Sequence, residues 1–336
     1  MIDVKSKVKR FFNLFNPHTV ALMYHRISCT ATDPWDLSVS PENFEQQVQV
    51  LVKNYRVLSL PEFIAGNHRT RNAVLITFDD GYANNFHYAK PILEKHACPA
   101  TFFIPSAYIG ASRYFWWDEL EQILLHTDTL PLHFYQTINH QLVDVNIGAE
   151  RLTNEQRLLQ KEWRWPDDPP DKRCELYLKI WEALRPLPLP MIDDAIINIK
   201  EWAKTGTADV PENRPMSEQE LKELTAHPLF TVGIHTHTHP GLSFHNRDYQ
   251  QTEIVTCRNF LHDRFGITAD TIAYPYGNFN EDTIQVVKDL GLKAGFTTNA
   301  SFISGTSDAY RLGRYQVPDR PGKEFEKQLK SWHRGG

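Results

Sequence analysis

Two adjacent carboxylates in this 336-residue sequence have the residue types for acid–base or metal chemistry. Asp79 and Asp80 follow an apolar run and precede Gly81. Two like charges side by side repel each other at neutral pH, so a cation or a proton must accompany one of them. The other carboxylate is then free to act as a base. The alternative is structural, because acidic residues followed by glycine often form only a turn.

A histidine cluster far downstream supplies further ligands for a cation. His235 and His239 lie four residues apart, with Pro240 directly after them. The preceding apolar run and the proline favour a loop over a helix, and His237 is expected to point away from the shared centre. Two imidazoles and one carboxylate suit zinc or a similar divalent ion, with positions left open for water and substrate. Such an ion lowers the pKa of bound water and polarises a carbonyl oxygen, which predicts hydrolysis of an amide or ester.

Seven short apolar runs, separated by stretches long enough for helices, predict the strands that position these residues. The pattern is typical of βα units with a parallel sheet, in which the carboxyl ends of the strands meet on one face. The candidate residues expected on that face are His25, Asp79, Asp80, His235 and Tyr274. The predicted strands are Val20–Tyr24, Tyr55–Ser59, Ala73–Phe78, Ala100–Ile104, Thr231–Ile234, Thr271–Tyr274 and Ala294–Thr298.

The stretch 111–215 interrupts this alternation. It holds six of the eight tryptophans and a helical pattern at Cys174–Leu184. We interpret it as a long, tryptophan-rich, mainly helical insertion into a single barrel domain that covers 19–336. Insertions on such barrels often shape substrate access, which makes Trp116 a candidate sugar contact. The alternative is that the tryptophans only form the small core of the insertion.

Composition and charge exclude other classes of protein. The 36 basic and 41 acidic residues leave a formal charge of −5, so no nucleic-acid partner is predicted. The four cysteines are widely spaced without a CxxC pair, which argues against a disulfide framework or a cysteine zinc site. The sequence contains no apolar run of about 18 residues, so no transmembrane segment is predicted.

The start of the chain has the pattern of a basic helix at 1–18. It lacks the features of a secretory signal, so a cytoplasmic location is expected. An apolar face opposite lysines and an arginine would allow residues 1–16 to contact a membrane surface peripherally. The alternative is a helix that packs on its own domain.

The two motifs together resemble a known family. Thr77–Gly81 followed by His235–Pro240 is similar to the polysaccharide deacetylases, the NodB-homology group of the family-4 carbohydrate esterases. The resemblance covers roughly 20–110 and 216–318 and leaves the insertion outside it. It implies a distorted (β/α)7 barrel of the NodB-like kind, related to the TIM barrel.

The resemblance also implies roles for the motif residues. Asp79 corresponds to the general base, and Asp80, His235 and His239 correspond to the ligands of one divalent metal ion. Zinc is the first expectation, with Co²⁺, Ni²⁺ or Fe²⁺ as alternatives.

Two features depart from the family's pattern. The third motif usually begins with an arginine that contacts the base, but Ile272–Gly277 contains none. Arg314 or Arg311 is the candidate replacement, with solvent-exposed charge as the alternative. The late catalytic histidine is missing too, since the only histidine beyond Arg314 is His333, in a polar tail. His25 is therefore the candidate acid, because it resembles the early YH motif of poly-N-acetylglucosamine deacetylases; a structural strand-end histidine is the alternative.

The third motif is also expected to contact substrate. Tyr274, Pro275 and Tyr276 would line the groove beside the metal, and the Tyr276 backbone N–H is a candidate oxyanion donor by similarity to the family.

The predicted function is metal-dependent removal of N-acetyl groups from an aminosugar glycan or glycan precursor. The alternatives are a catalytically impaired carbohydrate-binding protein of the same fold and an amidohydrolase of a small non-sugar amide.

Overall fold

The computed structural model describes residues 17–66, 72–206 and 213–334, and its contacts divide the chain into two units. The predicted helix at 1–18 falls largely outside the described residues, and His18 at its end already belongs to a strand. The first unit comprises Met1–Cys29, Leu37–Ala111 and Met216–Gly336, and the second comprises Thr30–Asp36 and Ser112–Pro215.

The first unit is built on a sheet of nine strands, with six parallel strands at its centre in the order β11-β10-β9-β6-β5-β1. All seven predicted strands are present, each with ends within two residues of the prediction. The strands of the described chain are β1 (His18–Tyr24), β2 (Arg26–Ile27), β3 (Ser38–Val39), β4 (Arg56–Leu58), β5 (Ala73–Phe78), β6 (Ala100–Ile104), β7 (His133–Ile138), β8 (Gln141–Asn146), β9 (Phe230–Ile234), β10 (Thr271–Ala273), β11 (Ala294–Phe296), β12 (Ile303–Ser304) and β13 (Tyr315–Gln316).

The central strands are buried on both faces, which explains why they read as unbroken apolar runs. Every residue of β5 is buried, and the strand pairs with β1 on one side and with β4 and β6 on the other. Along β1, Val20, Leu22 and Tyr24 pack in the large outer core, whereas Ala21 packs in a second core on the opposite face. The second core is the interior of the curled sheet.

The last part of the chain fills the space between β11 and β1. Leu312 forms a bridge with Phe296, and Tyr315 pairs with Leu22. The short strand β12 adds an antiparallel pair to β1 at its other end. The sheet therefore curls into a partial barrel, which confirms the predicted fold class, while the closing strands β12 and β13 were not predicted.

Helices cover the outer face of the sheet and form much of the second unit. The segment after Gly81 begins with a π-helical turn at Asn85–Ala89 instead of a regular helix. The α-helices of the described residues are α1 (Pro41–Asn54), α2 (Leu60–Ile64), α3 (Lys90–Lys95), α4 (Trp116–Glu121), α5 (Asn154–Glu162), α6 (Lys172–Leu184), α7 (Leu189–Ala203), α8 (Glu218–Thr225), α9 (Arg247–Phe265), α10 (Glu281–Asp289) and α11 (Gly322–Trp332). In the parts of the chain that the structure describes, none of the helices combines the length and the apolar character that crossing a bilayer requires.

The second unit has a tryptophan-rich core of its own and contains the β7–β8 hairpin besides its helices. The Trp181 ring lies 4.3 Å from Trp35 and 6.1 Å from Trp116, measured between ring centroids. Trp116 is only 2% exposed. The structure buries its ring among other side chains of the unit, and its role as a sugar contact stays a prediction.

The predicted polar tail is mostly helix α11, and His333 follows it in a buried position. His333 Nδ1 lies 3.1 Å from His18 Nε2, and the His333 ring stacks on Tyr55 with a centroid distance of 5.3 Å. Burial, followed by the neighbouring His18, lowers the pKa of His333 to about 4. His333 is a packing residue at the amino-terminal end of β1, away from the strand ends that carry the motifs.

Candidate active site

The paired aspartates occupy a tight turn at the carboxyl end of β5. The Asp79 N–H donates to the Tyr24 carbonyl at 3.0 Å, so Asp79 still continues the ladder with β1. Asp80 and Gly81 then both take positive φ, 71° and 70°, a region that Asp tolerates and Gly adopts without strain. A Cβ on Gly81 would lie 2.9 Å from Ile104 Cδ1, so a larger residue there would also require the Ile104 side chain to shift. This turn gives the two neighbouring carboxylates different partners.

Asp80, His235 and His239 form a compact group of potential metal ligands. One ligand atom from each residue lies within 4.8 Å of the others, and all three side chains are buried. His235 Nε2 lies 3.4 Å and His239 Nε2 lies 3.2 Å from Asp80 Oδ1. His235 Nδ1 donates to the Ala273 carbonyl at 2.8 Å, which leaves Nε2 with its lone pair directed at the group.

The donor set fits a divalent cation. Asp80 Oδ1 is buried and has no hydrogen-bond partner in the described residues, although two imidazole nitrogens face it. Burial alone would raise the pKa of Asp80, but the two imidazoles outweigh it, and the carboxyl pKa lies well below its usual value. Two nitrogens and one carboxylate oxygen around one point is a ligand set for zinc or a related ion.

The ligand histidines are carried by a loop, as predicted from Pro240; we call His235–His239 the ligand loop. It begins where β9 ends, and Thr236 and His239 have φ of +64° and +61°. The Thr236 hydroxyl donates to the His235 carbonyl at 2.6 Å and accepts from the His239 N–H at 3.1 Å. His237 is directed elsewhere, with its Nδ1 2.8 Å from Ser106 Oγ.

Asp79 forms a buried, bidentate ion pair with Arg314. Arg314 Nη1 donates to Asp79 Oδ1 and Nη2 to Oδ2, both at 2.7 Å, and the arginine side chain is fully buried. The guanidinium also donates to Thr77 Oγ1 and to the Thr297 carbonyl, so its position is determined from three sides. Burial raises the pKa of Asp79, but Arg314, followed by His235, more than offsets this effect and lowers it.

Of the two arginines proposed to support Asp79, the structure therefore brings only Arg314 to it. The Arg311 guanidinium instead bonds both carboxylate oxygens of Glu281, at 2.6 and 2.7 Å, in a partly exposed position. Arg314 lies in the closing segment between β11 and β1, whose course was not evident from the sequence.

His25 lies beside Asp79 at the end of β1. Its Nε2 is 3.9 Å from Asp79 Oδ2, and its side chain is 13% exposed. Burial lowers the pKa of His25, and the charges of Asp80 and Asp79 offset this only in part. The structure thus brings the candidate acid and the candidate base together without placing them in direct hydrogen-bond contact.

Two asparagines, which were not predicted from the sequence, hold the backbone around His25 in place. Asn85 Nδ2 donates to the His25 carbonyl at 2.7 Å, and Asn84 Oδ1 accepts from the Ile27 N–H at 3.0 Å. Asn85 Nδ2 also donates to Asn84 Oδ1, so the pair forms one buried clamp on the backbone around His25. A usable signal was present in the sequence, since two adjacent amides lie only three and four residues after Gly81.

The third motif contributes less open surface than predicted. Tyr274 is fully buried and its hydroxyl donates to the Tyr310 carbonyl at 2.9 Å, so the structure does not place it on the open surface of a groove. Pro275 is buried as well. Tyr276, at φ +57°, lies next to the ligands, with its ring 4.6 Å from that of His239 between centroids. Among the motif residues predicted to line the groove, Tyr276 is the one that the structure leaves partly exposed.

This combination of a curled parallel sheet, a paired-aspartate turn and a histidine loop defines a class of protein. The polysaccharide deacetylase family model matches residues 66–161 and 195–295, which is more than half of the chain. The chain belongs to the polysaccharide deacetylase family. The match extends into the second unit, whereas the motif resemblance left the insertion outside.

Individual relatives agree with this assignment. The poly-β-1,6-N-acetyl-D-glucosamine N-deacetylase of Staphylococcus aureus (strain MRSA252) is 32% identical over 125 residues, which cover 35% of this chain and 42% of that protein. The chain thus spans less than half the length of that relative. YxkH of Bacillus subtilis (strain 168), provisionally named a polysaccharide deacetylase, is 32% identical over 316 residues, 92% of this chain and 75% of that protein.

Solved structures show the same fold. The Streptococcus pyogenes deacetylase PplD, in complex with acetate, has a TM-score of 0.56 at 18% identity and covers 93% of this chain and 98% of its own. IcaB from Ammonifex degensii has a TM-score of 0.57 at 18% identity and covers 95% and 97%. More than nine-tenths of this chain therefore aligns with each of these two structures.

Proposed function

We propose that this protein is a metal-dependent hydrolase that removes N-acetyl groups from an aminosugar-containing glycan or glycan precursor. One observation carries the proposal: a buried set of one carboxylate and two imidazoles lies directly beside a second carboxylate held by a buried arginine. The first set suits a cation, and the second suits proton transfer, so the two aspartates have separate tasks.

The names of similar proteins support the substrate class. The S. aureus relative is named a poly-β-1,6-N-acetyl-D-glucosamine N-deacetylase, and the S. pyogenes neighbour is a deacetylase with bound acetate. Acetate is the product expected from an N-acetyl group. An acetylated aminosugar is therefore the first substrate to test.

The chain's own residues supply the other parts of the reaction. Asp80, His235 and His239 would hold a divalent ion, which when bound polarises the acetyl carbonyl and lowers the pKa of water. Asp79, kept ionised by Arg314, accepts the proton of the water that attacks the carbonyl carbon. His25, whose Nε2 lies 3.9 Å from Asp79 Oδ2, donates a proton to the departing amine nitrogen.

The geometry favours turnover over a binding protein without activity. The missing motif arginine and the missing late histidine were the reasons to consider impaired catalysis. Arg314 now makes the contact to Asp79 that the motif arginine usually makes, and His25 places an imidazole next to the same carboxylate. Both reasons for that alternative are therefore weakened.

Acetate release tests the proposal directly. The zinc-loaded protein is incubated with β-1,6-linked N-acetylglucosamine oligomers, with and without a chelator, and both acetate and free amine are measured. We expect equal amounts of the two products from the loaded protein and no turnover after chelation. Asp79→Asn serves as the inactive control, because it removes the base and keeps the ligand set.

The same assay separates the alternatives. Binding of the oligomers without acetate release by the zinc-loaded wild type would support the binding-protein reading. Release from a small non-sugar acetamide with no release from sugars would support an amidohydrolase of another substrate class. Either result would contradict the proposed function.

A further inference from the structure

A buried carboxylate outside the paired-aspartate and histidine motifs contacts the ligand loop. Glu253 lies in helix α9 and is 5% exposed. Its Oε2 accepts the backbone N–H groups of His237 and Thr238, at 2.9 and 2.7 Å. Its Oε1 accepts the Thr238 hydroxyl at 2.7 Å. Both carboxylate oxygens are therefore directed at the two consecutive residues that separate Thr236 from His239.

The ligand loop needs such support because its backbone is strained. Thr236 and His239 both have positive φ, which is uncommon for non-glycine residues and strained for the β-branched Thr236. Within the loop, the Thr236 hydroxyl bonds the His235 carbonyl and the His239 N–H. These local bonds tie the two ligand histidines to each other, but they do not tie the loop to the rest of the domain.

The Ser106 and Ala107 N–H groups bond the Thr236 and His237 carbonyls on one side of the loop, and Glu253 attaches it on the helix side. In the described part of the chain, no lysine or arginine forms an ion pair with it, so neutral hydrogen-bond donors, three of them from the loop, compensate its buried charge. A buried carboxylate without these donors would be costly, and two adjacent N–H groups without an acceptor would be costly too. The helix and the loop therefore require each other's geometry.

We infer that Glu253 is a positioning residue for the metal site: it keeps the ligand loop in the shape that directs His235 and His239 at one ion. This inference rests on the proposed function, since it presumes that the group binds a metal. Glu253 does not contact Asp80 or the reacting atoms, and it acts through the backbone of the loop.

Zinc affinity of the metal-free protein tests the inference. Zinc chloride is titrated calorimetrically into the wild type, Glu253→Met and Glu253→Gln. Met has similar bulk but no acceptor, and we expect its dissociation constant for zinc to rise about 10–100-fold, the range seen when supporting residues around a metal are changed. Gln retains one oxygen that can accept both N–H groups, and an affinity within about threefold of wild type is expected, since a neutral hydrogen bond replaces a charged one.

A matched variant separates positioning from general stability. Leu261→Ala truncates another buried residue of α9 that lies away from the ligand loop. It should lower the melting temperature of the metal-free protein and leave the zinc affinity unchanged. If Glu253→Met does not fold, Thr238→Val removes the hydroxyl donor alone and should weaken zinc binding by about tenfold or more, by the usual worth of a hydrogen bond to a charged group.

The outcomes are distinguishable. Wild-type binding of zinc with unchanged affinity in Glu253→Met, or in Thr238→Val where that variant replaces it, would overturn the inference and leave the proposed function intact. Equal weakening by Leu261→Ala and Glu253→Met would also overturn it. Failure of the wild type to bind one zinc ion would overturn the proposed metal dependence, and the inference with it.

Discussion

Arg314 and Asp79 are 235 residues apart in the sequence and are joined by two buried hydrogen bonds of 2.7 Å. The arginine belongs to the segment that closes the sheet, and the aspartate to the central strand β5. A contact between the closing segment and the paired-aspartate turn thus determines the electrostatic environment of the proposed base. Several consequences can be measured.

Arg314→Met should impair both stability and catalysis. Breaking a buried ion pair by removing one partner costs roughly 3–5 kcal/mol of unfolding free energy. Asp79 would lose the cation that lowers its pKa, so this pKa should rise. Because the base must be ionised, the acidic limb of the pH profile of kcat/KM should move to higher pH.

Arg311→Met is the matched control, since Arg311 forms a partly exposed pair with Glu281. Exposed pairs contribute at most about 1 kcal/mol, and the pH profile should stay where it is. An acidic limb that is the same in wild type and Arg314→Met would show that this arginine does not determine the protonation of the base.

The two aspartates should differ in what their loss removes. Asp79→Asn is expected to lower kcat by about 10²–10⁴-fold, the usual contribution of a general base, while zinc content stays near that of wild type. Asp80→Asn should lose both activity and zinc, because it removes one of three ligands. Metal analysis after dialysis, together with acetate release, distinguishes the two variants. Retention of most activity by Asp79→Asn would exclude it as the base.

His25→Gln should impair the departure of a poor leaving group selectively. An amine must be protonated as it leaves, so deacetylation of N-acetylglucosamine oligomers should fall by about 10²-fold or more. An activated aryl acetate releases a leaving group that needs no proton, and its hydrolysis should fall much less. Equal losses on both substrates would assign His25 a structural role in place of proton donation.

Tyr274 and Tyr276 should respond differently to substitution, despite their shared motif. Tyr274→Phe removes a buried hydrogen bond to the Tyr310 carbonyl and should cost about 1 kcal/mol of unfolding free energy, with no change in KM. Tyr276→Ala removes the ring beside His239 and should raise KM for the oligomers. Steady-state kinetics and urea unfolding check both. A higher KM in Tyr274→Phe would restore it as a substrate contact.

His333 should make the protein less stable in mild acid. Its pKa is about 4 in the folded chain and 6.5 in the ordinary, unfolded state. Between these values the unfolded chain binds more protons, so the free energy of unfolding falls as the pH drops from 6.5 towards 4. At pH 5 the loss should reach about 2 kcal/mol, because each unit is worth about 1.4 kcal/mol.

Urea unfolding of His333→Gln at pH 7 and pH 5 tests this assignment. Gln cannot titrate, so the difference in unfolding free energy between the two pH values should shrink by about that 2 kcal/mol. The comparison uses differences within each protein, so any stability lost at pH 7 by the substitution cancels. The same pH difference in both proteins would show that other groups cause the acid sensitivity.

Much of the fold was predictable because its signals are local. The central strands are buried on both faces, so they appear as continuous apolar runs, and in α1 the buried residues Phe44, Val48 and Leu51 recur at helical spacing. The β7–β8 hairpin and the closing strands were missed. These strands are short or alternate buried with exposed residues inside a region that was interpreted as helical.

The sequence by itself determined which residues meet at the carboxyl edge of the sheet. Asp79, Asp80 and His235 each lie within two residues of the end of a parallel strand, and strand direction alone brings such positions together. Only the tertiary structure decided which side chains support them and which are withdrawn into the core. Arg314, Glu253 and the buried Tyr274 owe their roles to segments distant in sequence, and which side chains face each other there depends on how the sheet closes and the helices pack, not on any local pattern of residues.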